Sequence, residues 1–266
     1  MEHIRSKWQS ESAGFVPNKA LGQNFLVRAD VIGQILEQAQ IEGKRVLEIG
    51  PGTGALTEGL LARSSFLAAV EKDARLCDLL RERFGNRLTL VHADALDADI
   101  HALMGSEPWH AVGNLPYYAT TPIVLRLLSF LPESLTLMVQ QEAAERFFAQ
   151  PKSRVYGPVA VVTTCCYDTK TVLNAPRDCF QPAPEVDSVV VRLTKKQTPL
   201  TDAPGFLSFL KQAFSMRRKT LYNNLQRNDR LTAALEAAGF PADARAEALP
   251  PETLLRIYLA LARDDK

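Results

Sequence analysis

The sequence predicts an α/β chain with a mostly parallel seven-stranded sheet, an antiparallel edge hairpin and a small all-helical domain at its C-terminal end. Three observations lead there. Short apolar runs alternate with helical stretches from Asp30 to about Ala149, which argues for a parallel sheet covered on both faces. The first run ends in three alternating glycines, Gly50, Gly52 and Gly54, at the position where open α/β sheets bind ligands. From Phe206 onward the pattern is helical only, with breaks at Pro241, Pro250 and Pro251.

The elements follow in order. Residues 1–19 read as a polar, partly basic arm. A helix is expected from Asp30 to about Gln40, with Val31, Ile32, Ile35 and Leu36 on one face and Asp30 as its cap. Arg45 to Ile49 is a buried strand, Ala55 to Ala62 a helix, Phe66 to Val70 a strand ending at Glu71. A helix from Asp73 to Phe84 and a strand from Leu88 to Val91 come next. Trp109 to Gly113 is a strand, Thr120 to Phe130 a helix, Leu135 to Val139 a strand, and Glu142 to Ala149 a helix stiffened by a Glu142–Arg146 pair. After Pro151 two β-rich runs, Thr169–Leu173 and Ser188–Leu193, suggest the edge hairpin. The stretch from Lys195 to Pro204 reads as a linker. The expected domains are therefore a catalytic one over residues 20–196 and a helical one over 197–266.

Bulk properties exclude several classes. At 266 residues, 46% hydrophobic and 23% charged, the chain is an ordinary globular one. No apolar run approaches the roughly 20 residues of a membrane span, and residues 1–12 lack the apolar stretch of a secretory signal, so a cytoplasmic location is expected. The four cysteines, Cys77, Cys165, Cys166 and Cys179, and the four histidines show no metal-ligand spacing. A net charge of +1 does not announce a nucleic-acid partner, so local charge has to be read instead.

The chemistry sits at strand ends. The turn Gly50-Pro51-Gly52-Thr53-Gly54 is neither a dinucleotide fingerprint nor a P-loop, which suggests a nucleoside cofactor without phosphates. Glu71 ends the second strand, where an acid accepts from ribose hydroxyls; Lys72 follows it. Asp94, before Ala95, ends the third strand and is either an acceptor for an adenine amine or a helix cap. The step Asn114-Leu115-Pro116-Tyr117 follows the fourth strand. It supplies a side-chain amide, a carbonyl whose direction the proline helps fix, and an aromatic face. Together these suit a flat ring with an exocyclic amine.

The glycine turn with Glu71 and Asp94 resembles the class I, Rossmann-like, S-adenosylmethionine-dependent methyltransferases. Further segments sharpen the likeness: Leu21 to Leu26 (LGQNFL), Val139 to Arg146 (VQQEAAER), Phe180 to Ser188 (FQPAPEVDS), Phe214 to Leu221 (FSMRRKTL) and Asn223-Asn224-Leu225. With Asn114 to Tyr117, they resemble the ribosomal RNA adenine dimethyltransferases, most closely the branch acting on small-subunit (16S) RNA. The family departures are Gln141, where a basic residue is common, and Ala144, where a larger aliphatic is.

The resemblance implies roles. Asn24 and Leu26 would close over S-adenosylmethionine, and Gly50 and Gly52 would meet its methionine part. Glu71, with Lys72 beside it, would hold the ribose, and Asp94 with Ala95 the adenine. Asn114 and the Leu115 carbonyl would accept from the target amine, while Tyr117 and Phe180 sandwich the flipped base. Arg217, Arg218, Lys219 and Arg227 would meet RNA phosphates, with Arg230, Lys7 and Lys19 as further candidates. The expected partner is 16S rRNA within the small subunit, bound by a monomer, with no metal and no membrane. Alternatives are the large-subunit, antibiotic-resistance branch, an assembly factor whose methylation is secondary, and a DNA adenine methyltransferase.

Overall fold

The structure is a computed structural model that describes residues 15–18, 21–198, 200–225 and 229–262. The arm expected over residues 1–19 therefore lies almost entirely outside the described residues, as do Lys7, Lys19 and Arg227.

Seven strands form one sheet in the order β4-β3-β2-β5-β6-β9-β7. They are β2 (Arg45–Ile49), β3 (Phe66–Glu71), β4 (Thr89–His92), β5 (Trp109–Asn114), β6 (Ser134–Gln140), β7 (Tyr167–Ala175) and β9 (Ser188–Lys195). The pairs β2–β3, β2–β5, β3–β4 and β5–β6 are parallel, and β9 with β7 forms the hairpin at one edge. Central strands are apolar on both faces: Val46, Leu47, Ile49, Ala68, Ala69, Ala111 and Val112 are all buried, as a sheet covered on two sides requires. Gly113 is needed where β5 meets β2, since an added Cβ would lie 2.6 Å from the Ile49 carbonyl oxygen.

Register aligns the functional strand ends. Ile49 lies opposite Val70 on one side and Gly113 on the other, and Glu71 lies opposite His92. The residues just past β2, β3, β4 and β5 therefore emerge together at the carboxyl edge of the sheet.

Helices α1 (Ala29–Ala39), α2 (Thr57–Leu61) and α3 (Ala74–Phe84) link the first strands. Buried Val31, Ile35, Leu36 and Ala39 give α1 its apolar stripe. Its N-cap is Arg28, with no side-chain cap bond, so Asp30 is not the cap that was expected. Asp30 lies in the first turn and pairs with Arg28 at 2.6 Å. Asp73 does cap α3, its side chain accepting from the Arg75 N–H. Short α4 (Ile100–Met104) precedes β5, and α5 (Thr120–Leu128) follows it.

Two differences follow β6. The expected helix from Glu142 to Ala149 is a four-residue helix, α6 (Gln141–Ala144), running into a 3-10 turn at Glu145–Phe147, and no Glu142–Arg146 ion pair forms. A helix not foreseen, α7 (Pro158–Cys166), precedes β7. Nearly every residue of α7 is buried, so it carries no amphipathic stripe from which to read a period.

A second, two-stranded antiparallel sheet pairs β1 (Phe25–Leu26) with β8 (Phe180–Gln181), Leu26 lying opposite Phe180. Phe180 is 4% exposed and belongs to the core cluster with Leu26, Cys179 and Val190.

The chain divides into two compact units. One holds the chain up to Ile123 with Pro132–Gln141 and Lys170–Leu193; the other holds Val124–Leu131, Glu142–Thr169 and Thr194 onward. The second unit gathers α7, α8 (Ala203–Ala213), α9 (Leu221–Asn224), α10 (Asp229–Ala237) and α11 (Pro251–Ala262). Within it the buried Tyr156 hydroxyl donates to the Leu249 carbonyl at 2.8 Å. Asn224 Nδ2 donates to the Ala213 and Met216 carbonyls at 2.7 and 3.1 Å. All four cysteines are free and buried. Among the described residues, no helix is long and apolar enough to cross a membrane.

Candidate active site

The carboxyl edge of the sheet opens into a cleft within the first unit, where open α/β sheets bind ligands. Its walls include Asn24, Leu26, Gly50, Gly52, Glu71, Lys72, Asp94, Ala95, Asn114, Leu115 and Tyr117. Every cofactor candidate read from the sequence is thus brought to one cavity, along with three of the four candidates around the target.

The glycine turn shapes the floor. Gly50, Gly52 and Gly54 have φ of 66°, 59° and 86°, a region costly for residues with a Cβ. At Gly52 an added Cβ would also come within 3.2 Å of the Phe25 ring. The bare backbone leaves the Gly52 N–H free to donate to Glu71 Oε2 at 3.1 Å. Glu71 Oε1 accepts from the Asp73 N–H at 2.9 Å. Burial raises the Glu71 pKa, opposed by those backbone bonds from Asp73 and Gly52. Each oxygen keeps a second lone pair, so the carboxylate can still accept from two hydroxyls.

Asp94 Oδ1 accepts from the Leu96 N–H at 2.9 Å, and Lys72 Nζ donates to Asp94 Oδ2 at 2.8 Å. The Leu96 bond, then Lys72, lowers the Asp94 pKa, so it is an ionised acceptor at neutral pH. Its bond from the Leu96 N–H is a local, turn-forming one, while the side chain also lines the cleft.

On the target side, Asn114 Nδ2 donates to the backbone carbonyl of Asn24 at 3.1 Å. A carbonyl only accepts, so this contact fixes which end of the amide is which. That leaves Asn114 Oδ1 as the acceptor end of a side chain that lines the cleft. The Leu115 N–H extends the β5–β6 ladder by donating to the Met138 carbonyl at 3.0 Å. Pro116 takes φ −62° and ψ 129° and turns the chain into a short 3-10 helix, Tyr117–Ala119. Half-buried Tyr117 bonds Ser188 through its hydroxyl at 2.8 Å, and burial raises its pKa. Tyr118 stays 57% exposed at the cleft wall.

Two side chains expected to face the substrate also have partners within the chain. Phe180 lies opposite Leu26 in the β1–β8 pair and is 4% exposed in the core cluster, so its burial is shared with the chain itself. Arg217 does not present a free guanidinium. Its Nε and Nη2 engage Glu247 at 2.9 and 2.8 Å, and its Nη1 and Nη2 donate to the Arg154 and Ser153 carbonyls at 2.7 and 3.1 Å. It fastens the 153–156 loop to the Ala246–Ala248 turn. Arg218 and Lys219 are exposed and make no such bonds. Arg230 is also exposed.

A family model of ribosomal RNA adenine dimethylases matches residues 14–263. The chain belongs to the ribosomal RNA adenine dimethylase family. A Bacillus licheniformis relative, ribosomal RNA small subunit methyltransferase A, is 40% identical over 238 residues, covering 85% of this chain and 82% of its own. Among solved structures, a dimethyladenosine transferase from Plasmodium falciparum superposes with a TM-score of 0.71 at 25% identity, covering 89% of this chain and 96% of that one. The 23S rRNA methyltransferase ErmE superposes with a TM-score of 0.62 at 30% identity, covering 90% and 100%. Membership makes the chain a methyltransferase with a methyl donor and an rRNA substrate.

For an adenine dimethylase, three polar residues in or behind the cleft stand out that the sequence reading left without a role. Glu48 lines the cleft at 1% exposure and accepts from the Thr57 hydroxyl at 2.8 Å. Gln23 bonds Asp73, and Ser188 bonds Tyr117. Gln23 and Ser188 sit inside motifs given above and Glu48 in the strand before the glycine turn, but their partners lie 50, 71 and 9 residues away, which spacing alone does not reveal. Among the described residues no group of three or more His, Cys, Asp or Glu could hold a metal ion.

Proposed function

We infer that the chain transfers methyl groups from S-adenosylmethionine to the N6 amine of adenines in ribosomal RNA, dimethylating two adjacent adenosines near the 3′ end of 16S rRNA in the small subunit. The observation that carries this is the Asn114–Asn24 hydrogen bond, which commits the Asn114 amide nitrogen and keeps its oxygen as the acceptor of a side chain lining the cleft. The small-subunit assignment is supported by the 40% identical relative bearing that name. In this reading the enzyme works in the cytoplasm as a monomer.

The cleft fits the cofactor. The Cβ-free Gly52 packs its backbone against the Phe25 ring at the cleft, and the walls offer carboxylate acceptors of the kind that hydroxyls and an adenine amine need. Gly50, Gly52, Asn24 and Leu26 would hold the methionine part, Glu71 and Lys72 the ribose end, and Asp94 with Ala95 the adenine. When bound, S-adenosylmethionine supplies an electrophilic methyl on its sulfonium. Asn114 Oδ1 and the Leu115 carbonyl accept the two N–H groups of the target amine. Their direction favours pyramidalisation and exposes the nitrogen lone pair, so positioning and electrostatics lower the barrier. Tyr117, its hydroxyl tied down, offers a face to the base; stacking of about 1–3 kcal/mol offsets part of the few kcal/mol of flipping. Exposed Arg218 and Lys219 meet RNA phosphates.

The test uses labelled cofactor with unmethylated small subunits, large subunits, naked RNA and DNA, followed by mapping of the modified base. Label at adjacent adenines of the small subunit is expected; label confined to large subunits or DNA overturns the assignment. Asn114→Ala should bind small subunits yet transfer no methyl.

A further inference from the structure

Gln23 is fixed at both ends of its side chain. Its Oε1 accepts from the Asn18 N–H at 2.7 Å, and its Nε2 donates to Asp73 Oδ2 at 2.9 Å. Both contacts are directional, since an N–H only donates and a carboxylate only accepts. Asp73 is itself immobilised. Its N–H donates to Glu71 Oε1 at 2.9 Å, and its carboxylate accepts from the Arg75 N–H, Nε and Nη2 at 3.0, 3.0 and 2.6 Å. Arg75, chiefly, holds the Asp73 pKa down at about 2, so the acceptor is charged at working pH. The residue after Gln23 is Asn24, whose carbonyl receives the Asn114 amide. A path of three hydrogen bonds and the covalent links between them joins Glu71 to Asn114, and it crosses through Gln23.

Gln23 brings no chemistry of its own to methyl transfer. What it controls is a backbone carbonyl. The β1 strand it precedes is only two residues long, too short to hold its own entry firmly. Without the Asp73 contact, the Asn24 carbonyl loses its fixed direction and the Asn114 amide loses its reference.

We propose that Gln23 is a positioning residue: anchored on Asp73, it holds the Asn24 carbonyl in the direction that orients the Asn114 amide, and so sets the rate of methyl transfer. This rests on the reading of Asn114 as acceptor of the target amine.

The test measures turnover on unmethylated small subunits at saturating cofactor and saturating subunits, with cofactor affinity titrated separately. Gln23→Ala is expected to lower kcat about tenfold or more, as misoriented groups do, with a smaller change in cofactor dissociation constant. Gln23→Glu sets a carboxylate against Asp73 and should lower kcat as well. Adding Asp73→Asn supplies an amide donor to that carboxylate and should restore turnover. A wild-type kcat in Gln23→Ala overturns the proposal. So does a defect confined to cofactor affinity, or a double variant that melts like the wild type without recovering turnover. Asn114→Ala runs alongside: wild-type transfer there would remove the reading of Asn114 itself, an outcome the Gln23 variants cannot mimic.

Discussion

The Tyr117 hydroxyl and the Ser188 hydroxyl lie 2.8 Å apart across 71 residues of chain. The bond ties the Asn114–Tyr117 step to the last residue of the Phe180–Ser188 segment. Ser188 is fully buried at the start of β9, so it is a firm anchor. It fixes the position of the tyrosine hydroxyl, and the residue lines the cleft.

Ser188→Ala leaves the Tyr117 hydroxyl half-buried without its partner. A loss of about 1–2 kcal/mol in unfolding free energy is expected, together with a raised KM for small subunits. Tyr117→Phe in the same background removes the stranded hydroxyl and should recover part of the stability. Urea unfolding of both single variants and the double one gives the coupling energy. Strict additivity would mean the bond contributes nothing.

Phe180 tests whether a ring named for stacking instead supports the site from behind. At 4% exposure in the core, Phe180→Ala should cost about 3–5 kcal/mol. Phe180→Leu keeps an apolar filling and should lose less, with turnover at saturating RNA close to wild type. A Phe180→Leu protein that melts normally but has a much higher KM for RNA would put the ring on the base.

Much of the site was legible because its residues stand at strand ends. Gly50, Gly52, Glu71, Asp94 and Asn114 each follow an apolar run, and parallel register carries such positions to one edge of a sheet. Helix α7 was hidden because burial on all sides erases the 3.6-residue period. Phe180 and Arg217 have partners within the chain that the sequence does not reveal, for a shared reason. An aromatic beside prolines, or an arginine in a basic run, looks exposed until a distant partner claims it. For Phe180 that partner is β1, and for Arg217 it is Glu247 with the 153–156 carbonyls.

Glu48 predicts a pH dependence. Burial pushes its carboxyl up to about 8, with the Thr57 hydrogen bond opposing and Glu71 adding. The folded chain keeps that proton until about pH 8, whereas the unfolded chain releases it near 4.5. Between those values the native state binds more protons, so stability falls as pH rises from about 4.5 to about 8 and levels off above. The contribution is on the order of a few kcal/mol. Glu48→Gln can still accept from Thr57 and cannot ionise. Unfolding by urea at pH 5 and pH 8 should show a smaller loss in this variant; equal losses would remove Glu48 as the source.

The basic turn holds one arginine bonded within the chain and two exposed cations. Arg217→Ala breaks the pair with Glu247 and leaves the Ser153 and Arg154 carbonyls without their donor. It should lower stability by about 1–2 kcal/mol, and its effect on binding should not depend on salt. Arg218 and Lys219 are exposed and make no hydrogen bond or ion pair through their side chains. Reversing both to Glu should leave melting near wild type but weaken binding to small subunits. If each meets one phosphate, the slope of log affinity against log salt should flatten by roughly 1.5. Binding titrations across a salt series with all three variants decide the matter. A flattened slope in Arg217→Ala, or an unchanged slope in the double reversal, would reverse the roles assigned to these neighbours.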